Sequence, residues 1–433
     1  MATGPDGAGM AEAFGPIEAV AASGPDGAAT PRSLKRAGLL LGVSTTTANV
    51  LGYAFAIVLS RSLGPADYGA LAALLAAGLI GSIPGIALQL VVARSRSRDP
   101  AHAEAEAGRW IRLSLVAGVA LMLLTWLLAP LAQSYLELAG IAPVLWLGFV
   151  MLSSTVTGAF QGRLLGAEQH ERLSATYIAV AGLRFLSGCL AARLGWSIAG
   201  AIGAAAVAGV LACLVSAALA GVPRVVAGGH GYRVMLHELV TASSSTAAVL
   251  VLSNVDVVLA RHYLAGSGSG HYAVGSLFTK AAFWGPHFLA VLAYPRLARS
   301  KDRRRALRTS LGLTVLIGAV AVLGAILLGR LLIDASAGPA YADIASLAPA
   351  FAALGTGMAL LQLTIYAGLA RGRRITELLV WVGIVAEIVL VVSRLNRTPG
   401  QIVVACLTVT VAVTVAAVAV ELAGRPPAVT LPR

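Results

Sequence analysis

LLLGVSTTTANVLGYAFAIVLSR, from Leu39 to Arg61, carries no charged side chain before its terminal arginine. At about 1.5 Å per helical residue such a run crosses a hydrocarbon layer of about 30 Å, so it reads as one membrane span. Stretches of the same kind recur as far as Leu422 with short polar breaks between them. The spans are expected near 38–60, 70–93, 111–130, 142–162, 173–193, 197–222, 238–260, 272–295, 309–333, 344–370, 376–393 and 399–422. The expectation is an all-α integral membrane protein of about 12 transmembrane helices.

Composition points the same way. Hydrophobic residues make up 58% of the 433, charged residues 12%, and mean hydropathy is +0.83. That is about half the charge of an ordinary soluble domain. The net charge of +13 and pI near 10.3 do not imply a nucleic-acid partner, because the charges lie in loops between spans. With the N-terminus in the cytoplasm, 24 of the 32 lysines and arginines fall inside, 6 outside (Arg61, Arg193, Arg261, Arg330, Arg394, Arg397) and 2 within spans (Arg184, Lys280). The positive-inside rule then puts both termini in the cytoplasm and favours an even number of spans. The expected location is a bacterial cytoplasmic membrane, crossed many times.

Cys189, Cys213 and Cys406 fall in apolar spans, where a thiol serves as a small hydrophobe, so neither disulfide nor metal site is expected. Residues 1–35 lack the basic start and apolar stretch of a cleaved signal and are expected to be a disordered cytoplasmic tail. A helical bundle over 36–222, a cytoplasmic linker over 223–237, a second bundle over 238–422 and a short tail over 423–433 complete the division.

A shift of 200 residues lays Ser44–Arg61 on Ser244–Arg261 (SSTAAVLVLSNVDVVLAR), with identities at Ser44/Ser244, Thr46/Thr246, Val58/Val258, Leu59/Leu259 and Arg61/Arg261. Four extra residues in the second loop then bring Tyr68 onto Tyr272. Self-similarity at this distance implies two six-helix halves in parallel arrangement, related by an axis along the membrane normal.

RSLGPADYGALAALL (Arg61–Leu75) resembles the R-x-L-G-P-x-D-Y-G loop of bacterial polysaccharide exporters. HYAVGSLFTKAAFWGPHFLAVLAYPRLAR (His271–Arg299) resembles their eighth span, with a lysine near its middle and a proline-basic step at its end. Both belong to the oligosaccharide-flippase branch of the multidrug, oligosaccharidyl-lipid and polysaccharide exporter superfamily. The resemblance covers the chain from Arg36 to Leu422. It implies two pseudo-symmetric six-helix bundles around a central cavity, lined by spans one, two, seven and eight and opening alternately to each side. Polyprenyl-diphosphate-linked sugars cross in such proteins without ATP hydrolysis.

Ionisable residues inside spans are the first candidates for binding, because an intramembrane charge is costly unless it meets water, an opposite charge or a ligand. Lys280 lies about eight residues from the outer end of span eight, roughly 12 Å deep. Phe283, Trp284 and His287 share its helical face at i+3, i+4 and i+7, and a cation beside aromatics suits a diphosphate next to a stacked sugar. The bland alternative makes Lys280 the neutraliser of a buried acid such as Glu387. Arg184, near the middle of span five, offers a planar fork for phosphate oxygens or a structural clamp on carbonyls. Gly285-Pro286 and Pro84-Gly85 are expected to kink their spans.

Thr45, Asn49 and Tyr53 recur at i+4 along span one, with Ser60 further on, as a polar stripe for the cavity or for another helix. Asn254 and Asp256 mark the matching part of span seven. Asp256 and Glu387 are candidates to bind a proton or sodium ion that couples transport to a gradient, and Asp256 could instead pair with Arg261 or Lys280. Gln89, and Gln362 with Tyr366, are further cavity candidates against a helix-bridging alternative. The basic run Arg296 to Arg308 serves topology and attraction to anionic headgroups, with capture of a diphosphate lipid as the sharper alternative.

The sequence has no GxxxxGK[ST], no HExxH and no paired CxxC. ATP-driven transport by this chain, a metallohydrolase and a dithiol oxidoreductase therefore have no support. His230, His237 and Ser243 to Ser245 form no acid-base arrangement, so neither catalysis nor a cofactor is expected. The leading expectation is a flippase for a lipid-linked oligosaccharide, partnered by membrane lipids and by glycosyltransferases or a polymerase of the same pathway. A drug or cation antiporter, which needs an acidic cavity, and a scaffold that holds glycosyltransferases without moving cargo are the competing readings.

Overall fold

A computed structural model describes residues 31–98, 103–223, 231–264, 266–299, 303–369 and 375–423. Residues 1–30, 224–230 of the linker and 424–433 of the tail lie outside those residues. The described chain is helical throughout apart from turns, and ten stretches in it are long and apolar enough to cross a membrane. One of these, 37–97, is two passes. The helix Pro31–Gly81 turns back at Gly64, whose φ of 74° lies in the left-handed region that glycine adopts without penalty. Pro65 follows, and the second limb passes through a break at Ser82 into Ile83–Arg98. That break falls just before Pro84, which has no N–H to continue the ladder, as the sequence leads one to expect. Span eight, Gly268–Arg299, runs on through Gly285-Pro286 as one helix.

Counting the folded run as spans one and two and adding span eight, the described residues supply twelve helical passes. Span three is Ala103–Leu127 continued by Ala129–Tyr135, span four Ala142–Gly166, span five His170–Arg193 and span six Ile198–Ala220. Span seven is Tyr232–Leu252 followed by Val255–Tyr263, and span nine is Arg303–Ser336. Span ten is a 3-10 run, Pro339–Leu347, leading into Ala348–Leu369; spans eleven and twelve are Ile375–Ser393 and Pro399–Ala423.

One packing scheme occurs twice. Span one packs on span five, span two on four, three on four, and six on both four and five. In the second half seven packs on eleven, eight on ten, nine on ten, and twelve on both ten and eleven. Small residues let these helices meet backbone to backbone. A Cβ on Gly158 would strike the Gly85 carbonyl, and one on Gly355 would strike that of Thr279, so the two-on-four and eight-on-ten contacts both rest on glycine. Large apolar side chains such as Leu127, Leu131, Leu327 and Leu331 cover the outward faces of spans three and nine, as lipid-facing helices require.

The halves meet at both ends. At the end carrying the short loops after spans one, three, five, seven, nine and eleven, here called distal, spans one and two press on span eight and on Val255–Tyr263. Gly270 lies so close to the Pro65 carbonyl that it has no room for a side chain. At the opposite end Met235 and Leu239 pack with Leu88, Val91, Val92 and Trp110. Residues 232–237, expected in the linker, are therefore the first turns of span seven, because Met235 and Leu239 have an apolar surface of span two to bury against.

Candidate functional site

The middle of the molecule holds the ionisable groups. Arg184 on span five sets its guanidinium 5.0 Å above the ring of Phe55 on span one, a cation-π contact. The ring is held flat against span five at Gly188, where any Cβ would collide with it. Lys280 reaches in from span eight, in the other half. Its charge interacts with that of Arg184 and, with opposite sign, with that of Asp256. Both side chains are half-buried. Among the described residues no carboxylate comes within 4.0 Å of either. Two like charges from opposite halves within electrostatic range of each other, with no salt bridge among the described residues, are suited to an anion.

Span one contributes open space. Gly38, Gly42 and Gly52 on one face have no atom within 4 Å of where a Cβ would stand, and neither does Gly182 on span five. Asn49 projects from that face and is exposed. An amide turned to lipid would lose its hydrogen bonds, so the face belongs to a wet space. Thr45 bonds back to the Leu41 carbonyl at 2.7 Å, and Ser60 to that of Ile57 at 2.9 Å. The Tyr53 hydroxyl is buried without a hydrogen-bond partner among the described residues.

The acids are arranged otherwise. Span seven breaks at Ser253 and Asn254, where Asn254 has φ −137° and ψ −15°, and restarts at Val255. Asp256 thus occupies the first turn of a new helix, where the unpaired N–H groups favour a carboxylate. Tyr272 on span eight donates its hydroxyl to Asp256 Oδ2 at 2.9 Å. The same hydroxyl lies 3.8 Å from Cys406 Sγ on span twelve, and that thiol donates to Glu387 Oε1 on span eleven at 3.4 Å. A buried chain of four side chains on four spans therefore joins the two acids. It leaves one oxygen at each end, Asp256 Oδ1 and Glu387 Oε2, with no hydrogen-bond partner among the described residues.

Several sequence expectations resolve differently in space. Of the two acids considered for Lys280, Asp256 is the one whose charge acts on it, without a salt bridge. Arg261 does not pair with Asp256, since its guanidinium is taken by carbonyls at the distal end. Cys406 is more than a small hydrophobe, because it bonds a carboxylate. Gln89 donates its amide to the Tyr177 hydroxyl at 2.5 Å, a bridge between spans two and five, and Gln362 donates to Tyr366 one turn along its own helix at 3.0 Å. The aromatic face beside Lys280 divides. Phe283 is buried among Val249, Leu252 and Met358, while Trp284, edge-on to it at 5.2 Å, is 42% exposed. The side chains of His287, Arg296, Arg299, Lys301, Arg303 and Arg304 lie outside the described residues, while Arg305 and Arg308 are exposed. Tyr272 and Cys406 were missed by sequence reasoning. The Tyr68/Tyr272 match was the one available signal, and it marked a repeat, not a partner for Asp256.

Solved transporter structures share this architecture. A multidrug resistance MATE family transporter of the MOP superfamily, in an inward-facing conformation, superposes with TM-score 0.70 at 15% identity, over 88% of this chain and 96% of that one. The lipid II flippase MurJ, in an inward closed conformation, gives TM-score 0.71 at 12% identity, over 90% of this chain and 88% of the other. A MOP superfamily transporter from Pyrococcus furiosus gives 0.63 at 14%, covering 96% and 97%. At such identities the likeness is one of fold. No curated protein matches. The polysaccharide biosynthesis protein family matches residues 34–300, spans one to eight, and so includes Arg184, Asp256, Tyr272 and Lys280. With well over half of its length matched in this way and an all-α fold of twelve crossings, the chain is a multi-pass membrane protein that belongs to the polysaccharide biosynthesis protein family.

Proposed function

We propose that the chain is a secondary transporter that flips a polyprenyl-diphosphate-linked oligosaccharide, a precursor of surface polysaccharide, across a bacterial cytoplasmic membrane by alternating access. The observation that supports it is that Arg184 and Lys280, from opposite halves, feel each other's charge while no carboxylate among the described residues lies within 4.0 Å of either. A diphosphate headgroup would sit between them, bound in two-point fashion by the guanidinium and as a point charge by the ammonium. The open face of span one, with Asn49 and Tyr53, would take the sugars, while the polyprenyl chain stays in lipid.

The termini are cytoplasmic in this reading, in keeping with the 24 to 6 division of basic residues between the two sides, and the distal end faces outward. No step needs catalysis or a cofactor. The chain from Asp256 to Glu387 is the proposed site of the coupling ion, its two unpartnered oxygens being the groups that a proton or sodium ion would neutralise. Those acids are buried and bonded to Tyr272 and Cys406 within one half, which favours a coupling role over contact with a cationic drug.

The test is lipid analysis of a strain carrying Lys280→Ala. Transport predicts lipid-linked intermediates accumulating on the cytoplasmic leaflet with loss of surface glycan. Normal glycan output from a normally inserted protein would reject it and favour a scaffold.

A further inference from the structure

Two arginines at the distal end make the same bond in opposite directions. Arg61, at the end of span one, donates Nε to the Ser336 carbonyl at 2.6 Å and Nη2 to that of Ala335 at 2.5 Å. Those carbonyls close the C-terminus of span nine, in the second half. Arg261, at the end of span seven, donates Nε to the Leu136 carbonyl at 2.8 Å and Nη2 to that of Glu137 at 3.1 Å. Those close the C-terminus of span three, in the first half. Leu136 and Ser336 both stand at the C-terminal end of the third span of their half, so both Nε bonds fall on corresponding helix ends.

The chemistry fits a clamp. The last carbonyls of a helix have no partner within it and carry the negative end of its dipole, and a guanidinium meets two of them at once. We infer that Arg61 and Arg261 form a reciprocal latch, each half holding the third span of the other, which keeps the distal end shut and must release on both sides for it to open.

Other contacts converge on the same seam. The Tyr341 hydroxyl of the second half donates to the Ser60 carbonyl at 3.0 Å, and His262 stacks on Tyr135 with ring centroids 4.0 Å apart. The two arms are unequal. Arg261 is buried and also bonds the Ala66 carbonyl and Ser269 Oγ, whereas Arg61 is exposed. Arg261 is therefore the stronger arm.

Because every acceptor across the seam is a backbone carbonyl, no acid need titrate for the latch to hold. The inference adds a gate to the transport reading, yet its readout is a distance that needs no cargo, so failure of one leaves the other standing.

The test places spin labels at Ser134→Cys and Ser267→Cys, exposed positions on the two sides of the distal seam, in the full chain with the native cysteines replaced and reconstituted in nanodiscs. The parent should show one short distance. Arg61→Ala and Arg261→Ala should each raise a longer-distance population roughly tenfold, from the loss of charge-assisted bonds, with Arg261→Ala the larger and the double variant larger than either. Lysine at either position should fall between, as it keeps the charge and loses the fork. A double variant that melts like the parent and keeps the parent distance overturns the latch, and an effect from only one arginine overturns its reciprocity. Should the double variant fail to insert, the single lysine variants decide the matter, and an unchanged distance in both rejects the proposal.

Discussion

The two halves agree at the distal end and disagree in the middle. At the distal end Arg61 and Arg261 make equivalent bonds to Ser336 and Leu136. In the middle the 200-residue shift sets Asp256 against Ala56, and the Tyr68/Tyr272 register sets Lys280 against Ala76. The parts that hold the helices together exist in duplicate, while the buried acids and the lysine exist once. A rocking motion of two halves needs matched mechanical contacts. Buried charge is expensive, and a single ion site or a single headgroup site needs it in only one half.

Changes that make the halves alike, or less alike, test this. Lys280→Ala gives the second half what Ala76 gives the first. With a charged hydrogen bond to the headgroup worth about 1.5–3 kcal/mol, transport should fall roughly 10- to 100-fold while the protein still inserts, as read from glycan output normalised to membrane-inserted chain. Ala56→Asp carries the comparison the other way by placing an acid in the half that has no Tyr-Cys chain to receive it. Destabilisation of at least about 2.5 kcal/mol is expected, seen as a lower melting temperature in detergent, with no gain in transport.

Cys406→Ala removes the one side-chain donor to Glu387 among the described residues. It should cost about 1–3 kcal/mol in stability or in ion affinity, whereas Cys406→Ser, which keeps a donor, should restore most of the loss. Calorimetric titration with sodium at two pH values measures the ion effect, and equality of the two variants would remove Cys406 from the chain. Smallest is Gln89→Leu, which breaks one bond between spans two and five and should lower stability by about 0.6 kcal/mol.

Much of the fold was legible in the sequence, because apolar length and the bias of basic residues report directly on a bilayer. Twelve crossings, the turn at Gly64-Pro65 and the break before Pro84 all follow from local rules. The break in span seven did not. Ser253 and Asn254 are neither glycine nor proline, and the helix opens there because Asn254 turns its amide onto the Leu250 carbonyl at 2.9 Å.

Of the candidate site, the residue types were legible and their partners were not. A lysine, an arginine and two acids in apolar spans stand out as costly, yet which acid sees Lys280 depends on how spans seven, eight, eleven and twelve pack. Gln89 and Asn49 show the same limit. Both are amides within spans, but one is spent on Tyr177 and the other faces open space, a difference set by Tyr177 on span five and by Gly42 and Gly52 beside Asn49.

The central claim is that two cations from opposite halves hold one anionic headgroup. It is tested most directly by binding of undecaprenyl diphosphate to the purified full chain in nanodiscs. Kd should rise at least about tenfold in Lys280→Ala and in Arg184→Ala, with the double variant less than additive, because both contact the same group. Arg330→Ala, an exposed cation whose side chain lies 3.9 Å from Asp334, should leave Kd unchanged. Equal affinity in the parent and in both interior variants would contradict the account.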